Sequence, residues 1–132
     1  MPGCLIRVSG DDFQPHSFLA GSHFVPCNVF RKGERKAKAR VWDSSGFTVV
    51  VSEASGDDLA QQIRDAVEFL RKLKEELARL MACAGFEDAR LDFGVSRKSG
   101  FLQSSYLPPE LLTMAGALDI GVEISIYGED ES

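Results

Sequence analysis

The sequence predicts an α+β two-layer sandwich: a mainly antiparallel sheet, with one long helix and short helices on one face. Three observations predict it. Four segments alternate apolar and polar residues with period two, and one long segment repeats apolar residues at gaps of three and four. The two kinds interleave in the order β-α-β-β-α-β-α-β. A sheet whose strands each show one polar face is open to solvent there and covered by helices on the other. The order permits a ferredoxin-like arrangement with an added hairpin or C-terminal strand. At 132 residues, 44% hydrophobic and 27% charged, residues 1–132 read as one domain without repeats or linker. Such a chain buries roughly 65–70% of the surface its unfolded form exposes.

Taken in order, "CLIRVSGDD" sets Cys4, Ile6 and Val8 against Leu5, Arg7 and Ser9, a half-buried strand ended by Gly10-Asp11-Asp12. "FQPHSFLAGSH" reads as a short helix with Pro15 in its first turn, Phe18 and Leu19 inward and Gly21 at its end. After Pro26, "CNVFRKGERK" is a strand entering a turn at Lys32-Gly33. "ARVWD" is its expected returning partner, anchored by Trp42. "GFTVVVSE" places Phe47, Val49 and Val51 on one face.

Ser55-Gly56-Asp57-Asp58 then opens the long helix, with Asp58 and Gln61 in capping-box spacing. Leu59, Ile63, Val67, Leu70, Leu73, Leu77, Leu80 and Met81 form its apolar stripe, and Gly85 is a natural stop. At a rise of 1.5 Å per residue it would run about 40 Å, longer than any strand it could cover, so one end must overhang or bend. "ARLDFGVS" turns Leu91, Phe93 and Val95 inward and Arg90, Asp92 and Gly94 outward. A loop over 96–105 and a short proline-led helix, "LPPELLTMAGAL", follow. The last strand, "DIGVEISIY", sets Ile120, Val122, Ile124 and Ile126 against Gly121, Glu123, Ser125 and Tyr127, ahead of an acidic tail expected to fray.

Charge is unevenly spread. The net charge is −5, yet residues 31–40 carry Arg31, Lys32, Arg35, Lys36, Lys38 and Arg40 against Glu34 alone. That segment is +5 and the other 122 residues are −10, which argues against a general polyanion binder. The three cysteines, Cys4, Cys27 and Cys83, are odd in number and lack C-x-x-C spacing. Cys4 and Cys83 sit among apolar neighbours and read as core residues. No apolar run has the length of a membrane span, and the N-terminus lacks a signal peptide's apolar stretch, so the expectation is a reduced, cytoplasmic protein.

"LIRVSGDDFQP", "FRKGERK", "FTVVVSEASGDDLAQQI" and "GFLQSSYLPPELLTMAGALDIGVEISIY" together resemble a family of small, mostly bacterial domains known as domain of unknown function 4279. The resemblance spans most of the chain. It departs from the family pattern at Val25-Pro26-Cys27, where a Pro-Thr pair is usual. The resemblance implies an α+β domain with no established activity, and makes Lys32-Gly33-Glu34 a recurrent structural turn.

Candidate chemistry is sparse. His16, His23 and Cys27 lie near Asp11 and Asp12, but H-x6-H and H-x3-C match no compact zinc motif, so no metal is expected. Ser96, Ser99, Ser104 and Ser105 surround Gly100, yet neither a P-loop nor a G-x-S-x-G motif is present. Asp11-Asp12 and Asp57-Asp58 stand where turns and helix starts favour aspartate. No catalytic residue and no cofactor is assigned.

The basic segment 31–40 could contact phosphate. A sheet that reads RNA needs outward aromatics, however, and Tyr127 is the main one expected here. Nucleic acid is therefore not the favoured partner. The expected function is a non-enzymatic protein-interaction module, of the inhibitor or immunity-protein kind. Its interaction surface is made from Arg7, Arg31, Lys32, Arg35, Lys36, Arg40, Arg90, Asp92, Glu123 and Tyr127. The alternatives are a small-ligand binder or enzyme that uses the 96–105 loop as a lid over a pocket against the long helix, or a weak nucleic-acid binder. If the terminal strand lies at a sheet edge, a homodimer is expected.

Overall fold

The computed structural model describes residues 3–37 and 40–128. Strand β1 (Gly3–Gly10) forms because its alternation buries Cys4, Ile6 and Val8 on one side only. Helix α1 (Pro15–Ala20) begins at the proline and ends at Gly21, with Phe18 and Leu19 packed on the core. Three short strands follow, β2 (Asn28–Phe30), β3 (Arg35–Ala37) and β4 (Arg40–Val41), and then β5 (Ser45–Ser52). Helices α2 (Leu59–Lys72) and α3 (Lys74–Met81) lead to β6 (Asp88–Ser96), α4 (Pro109–Ala117) and β7 (Gly121–Tyr127).

The main sheet has the order β2-β5-β1-β6-β7. β1 is antiparallel to both β5 and β6, β2 is antiparallel to β5, and β7 joins β6 in parallel. The first four of these strands thus have the ferredoxin-like order of a β-α-β-β-α-β chain, with β7 added beyond. The core lies between the sheet and the helices. Ile6, Phe47, Leu91 and Phe93 from the strands meet Leu70, Leu77, Leu80 and Leu111 from the helices, all essentially inaccessible.

Two expectations are corrected. The predicted single helix is two, broken at Leu73 (φ −108, ψ 23). The break is a bend, since the Leu73 amide still donates to Phe69 and the Leu77 amide to Leu73. Bending keeps Leu70 on one limb and Leu77 and Leu80 on the other in the same core. A straight helix of that length would carry one end past the sheet. At the N-terminus of α2, Asp58 accepts the Gln61 amide as the cap, but the Gln61 side chain turns to Asp65. Only half of the capping box forms.

The second correction concerns "CNVFRKGERK". β2 pairs with β5, not with a returning strand, while "ARVWD" pairs through β4 with β3 in a separate small hairpin. The chain therefore leaves the sheet after Phe30, turns at Lys32–Glu34 and folds back through Trp42. The Gly33 amide donates to the Trp42 carbonyl and the Trp42 amide to that of Glu34. The acidic tail lies outside the described residues.

Candidate functional site: the open face of the sheet

On the face away from the helices, the side chains of β1, β2, β5, β6 and β7 floor a cleft of about 490 Å³, with Trp42 and Lys36 at one rim. The registers determine its contents. Arg7 stands opposite both Thr48 and Arg90, Asn28 stands opposite Thr48, and Asp92 lies beside Glu123. Like charges directly opposite one another destabilise a sheet. Each arginine of the Arg7–Arg90 pair meets its own acid. Arg7 Nε donates to Asp92 at 3.1 Å, and Arg90 Nε donates to Asp88 at 2.9 Å, with Glu123 3.5 Å from its other arm. Asp88 first and Glu123 second push the Arg90 guanidinium pKa above its ordinary value.

Asp92 departs from expectation. Sequence alternation marks it as outward and thus as exposed surface; it is outward but buried, 5% accessible. Arg7 covers it from β1, and Ser125 on β7 donates its hydroxyl to it at 2.7 Å. It lies at the bottom of the cleft, beneath Arg7. Nearby, the thiol of Cys4 is pushed up, by burial first and by the charges of Asp92 and Asp65 next.

The aromatic content of this face is also corrected. Phe30 lies opposite Gly46 and Trp42 stacks on it, ring centroids 3.9 Å apart and planes 16° off parallel. Gly46 makes room for this: a Cβ there would come within 1.9 Å of the Val8 carbonyl and 2.9 Å of the Phe30 ring. The ammonium of Lys36 closes over the Trp42 ring at 4.7 Å. Tyr127, the expected outward aromatic, is half-buried at the end of β7 and does not line the cleft. The one local hint of the stack is a tryptophan a dozen residues after an apolar β-strand. Nothing in the sequence assigns Phe30 to the open face, because β2 is too short to show a period.

Of the sequence-predicted surface, the cleft gathers Arg7, Lys36, Arg90, Asp92 and Glu123. It also holds Ser125, an outward position of the last strand, and recruits Asn28, Thr48 and Trp42, which the sequence does not single out as site residues. Arg31, Lys32, Arg35 and Arg40 are exposed but line other surface. Lys32 is bound to Asp11 at 2.8 Å, which raises its pKa, and Glu34 caps the turn by accepting the Arg31 amide. Lys38 lies outside the described residues.

Of the remaining candidates, His23, Lys98 and Gln103 make contacts within the fold. His23 donates its backbone amide to Glu76 on α3 at 2.7 Å, and its ring lies 2.5 Å from the same carboxylate. Those contacts, the amide first, hold the Glu76 carboxyl below its ordinary pKa. His16 and Cys27 are exposed elsewhere, and among the described residues no three His, Cys, Asp or Glu side chains converge as metal ligands. In the 96–105 loop, Lys98 pairs with Asp57, and Gln103 bridges the Lys98 amide and the Ser96 carbonyl. Against α2 the structure has a shallow apolar groove of about 390 Å³ between Leu59, Ile63, Tyr106 and Pro108, lined by the segment just after that loop. Among the described residues, no helix is long and apolar enough to cross a membrane.

Residues 3–129 match the model of a family described as Domain of unknown function (DUF4279). No curated protein and no solved structure matches the chain significantly.

Proposed function

Since the chain belongs to the domain of unknown function family DUF4279, we propose its role from its own geometry: a non-enzymatic module that recognises another protein through the open-face cleft. One observation carries this reading. The charged groups on the floor are paired with one another, Arg7 with Asp92 and Arg90 with Asp88 and Glu123. Groups so paired supply orientation and electrostatic complementarity rather than acid–base chemistry, and Asp43, the cleft's other acid, lies beside Trp42. The rim, in contrast, offers Trp42, a residue type that dominates binding hot spots, with the Lys36 ammonium beside it. A partner presenting an acidic and a basic group a few ångströms apart would match the floor. An inhibitor or immunity-type role in a reducing cytoplasm belongs to the same proposal; the three free cysteines suit it.

Nucleic acid is the runner-up, favoured by the Phe30–Trp42 stack. It is second because Phe30 and Lys36 occupy the two faces of the Trp42 ring that a base would need.

A photoreactive residue replacing Asn28 or Lys36 tests the proposal in cells, with Glu68 on the helical side as control. One and the same protein should be captured from both cleft positions and lost with Arg90→Glu. Capture no stronger than from position 68 refutes it. Trp42 is the sole tryptophan, so its fluorescence reports the cleft; a saturable change with single-stranded RNA or a metabolite would favour the rivals instead.

A further inference from the structure

The two edges of the main sheet are unequal. β2 is three residues long and runs on into the β3–β4 hairpin. β7 is seven residues long, regular, and contains neither proline nor lysine, the usual guards of an exposed edge. Its backbone polarity can be read from one bond. The Arg97 amide donates to the Tyr127 carbonyl, so Tyr127 directs its peptide groups toward β6. In a strand these directions alternate, so Gly121, Glu123 and Ser125 face β6 as well. Val122, Ile124 and Ile126 direct theirs to the free edge. Among the described residues no backbone group outside the sheet bonds to those three.

We propose that this edge pairs with the same edge of a second copy, antiparallel, with the two-fold axis at Ile124. Three registers keep like faces together. Centred on Glu123, the pairing sets Glu123 against Glu123 of the other copy. Centred on Ser125, it sets Ile126 against Ile124 and leaves Val122 facing Gly128, beyond the strand. Centred on Ile124, the pairs are Ile124 with itself and Val122 with Ile126, and every free N–H and C=O of those three residues on both strands is used, six bonds in all. On the open face Glu123 then meets Ser125 and Tyr127 covers Gly121, so no like charges are opposed within the strand. On the helical face the pairing covers Ile126, 51% exposed in the single chain.

An antiparallel edge pair relates its strands by an axis perpendicular to the sheet, so both open faces point the same way. At ~4.8 Å per strand, the two clefts, each centred on β1 and β6, would lie roughly 20 Å apart. The dimer is therefore a bivalent surface.

Sedimentation of the full chain from 1 to 200 μM tests this, with Ile124→Pro as the variant. Proline removes an N–H that points to the free edge and leaves the β6 ladder intact. The wild type should convert to two-chain mass, and the variant should need about tenfold or more higher concentration. One-chain mass at every concentration overturns the proposal, and so does a dimer that the proline does not weaken. If the proline variant misfolds by circular dichroism, cysteine cross-linking decides, on a Cys27→Ser background. Ile124→Cys places its Cα about 5.5 Å from its counterpart and should be joined by a short bismaleimide. Val122→Cys, roughly 14 Å from its own, should not. Equal yields at the two positions overturn the register.

Discussion

Replacing Arg7 by alanine tests how the cleft is held together. Its side chain is 46% accessible, whereas the Asp92 side chain beneath it is 6% accessible. Removal leaves a nearly buried carboxylate with the Ser125 hydroxyl as its remaining side-chain donor. Breaking a fully buried pair costs about 3–5 kcal/mol, and an exposed pair is worth no more than about 1 kcal/mol. Water can enter the space vacated by Arg7, so the cost should fall between, about 1–2 kcal/mol. With a urea m-value of roughly 2 kcal/mol/M, the unfolding midpoint should drop by about 0.5–1 M. The control is Asp92→Asn. If the charge pair is the cause, Arg7→Ala on that background should cost less than about 0.5 kcal/mol, the rest appearing as coupling energy. An equal cost on both backgrounds would refute the argument, because Arg7 would then act through packing of its stem. No loss at all on the native background would refute the burial of Asp92 itself.

Two further outcomes follow from the same geometry. Glu76 has its pKa lowered in the folded chain, chiefly by the His23 amide, so its contribution is complete above its ordinary value of 4.5 and is lost as pH falls through the lower folded value. Glu76→Gln should therefore flatten the decline in melting temperature between pH 5 and pH 3, and identical slopes in the two proteins would reject the assignment. Gly46→Ala should cost about 2 kcal/mol or more, because the added carbon meets backbone at 1.9 Å. Its Trp42 emission should shift to the red as the Phe30 stack opens, and an unchanged melt with unchanged emission would contradict the close approach.

The fold was legible wherever a long segment kept one period. β1, β6 and β7 could be read from alternation, and the stripe from Leu59 to Leu80 gave α2 and α3 together with the need for a bend. Period alone does not say which strand lies beside which. That is why the partner of β2 was missed: "ARVWD" is near in sequence, whereas β5 offers the deeper apolar surface. The same limit hid the site. Alternation places Asp92 outward, but its burial depends on Arg7 and Ser125, dozens of residues away and brought in by two different strand pairings. The Phe30–Trp42 stack likewise needs Gly46 from a third segment.

The basic run at 31–40 illustrates how charge counts mislead when the partners are remote. Lys32 is engaged by Asp11, Lys36 lies on Trp42, and Glu34 closes the turn. Two of its six basic residues are thus engaged within the chain, in a hairpin that overhangs the cleft. β7 shows the complementary economy. Its odd residues turn their backbone to β6 and send Glu123 and Ser125 into the cleft; its even residues keep their side chains on the helical face and their backbone at the free edge. Because side chain and peptide directions alternate together, the edge can be covered without displacing a group from the cleft floor. Recognition and self-association are thus compatible in one strand, and a partner spanning both clefts would gain avidity from a dimer that adds no contact to either.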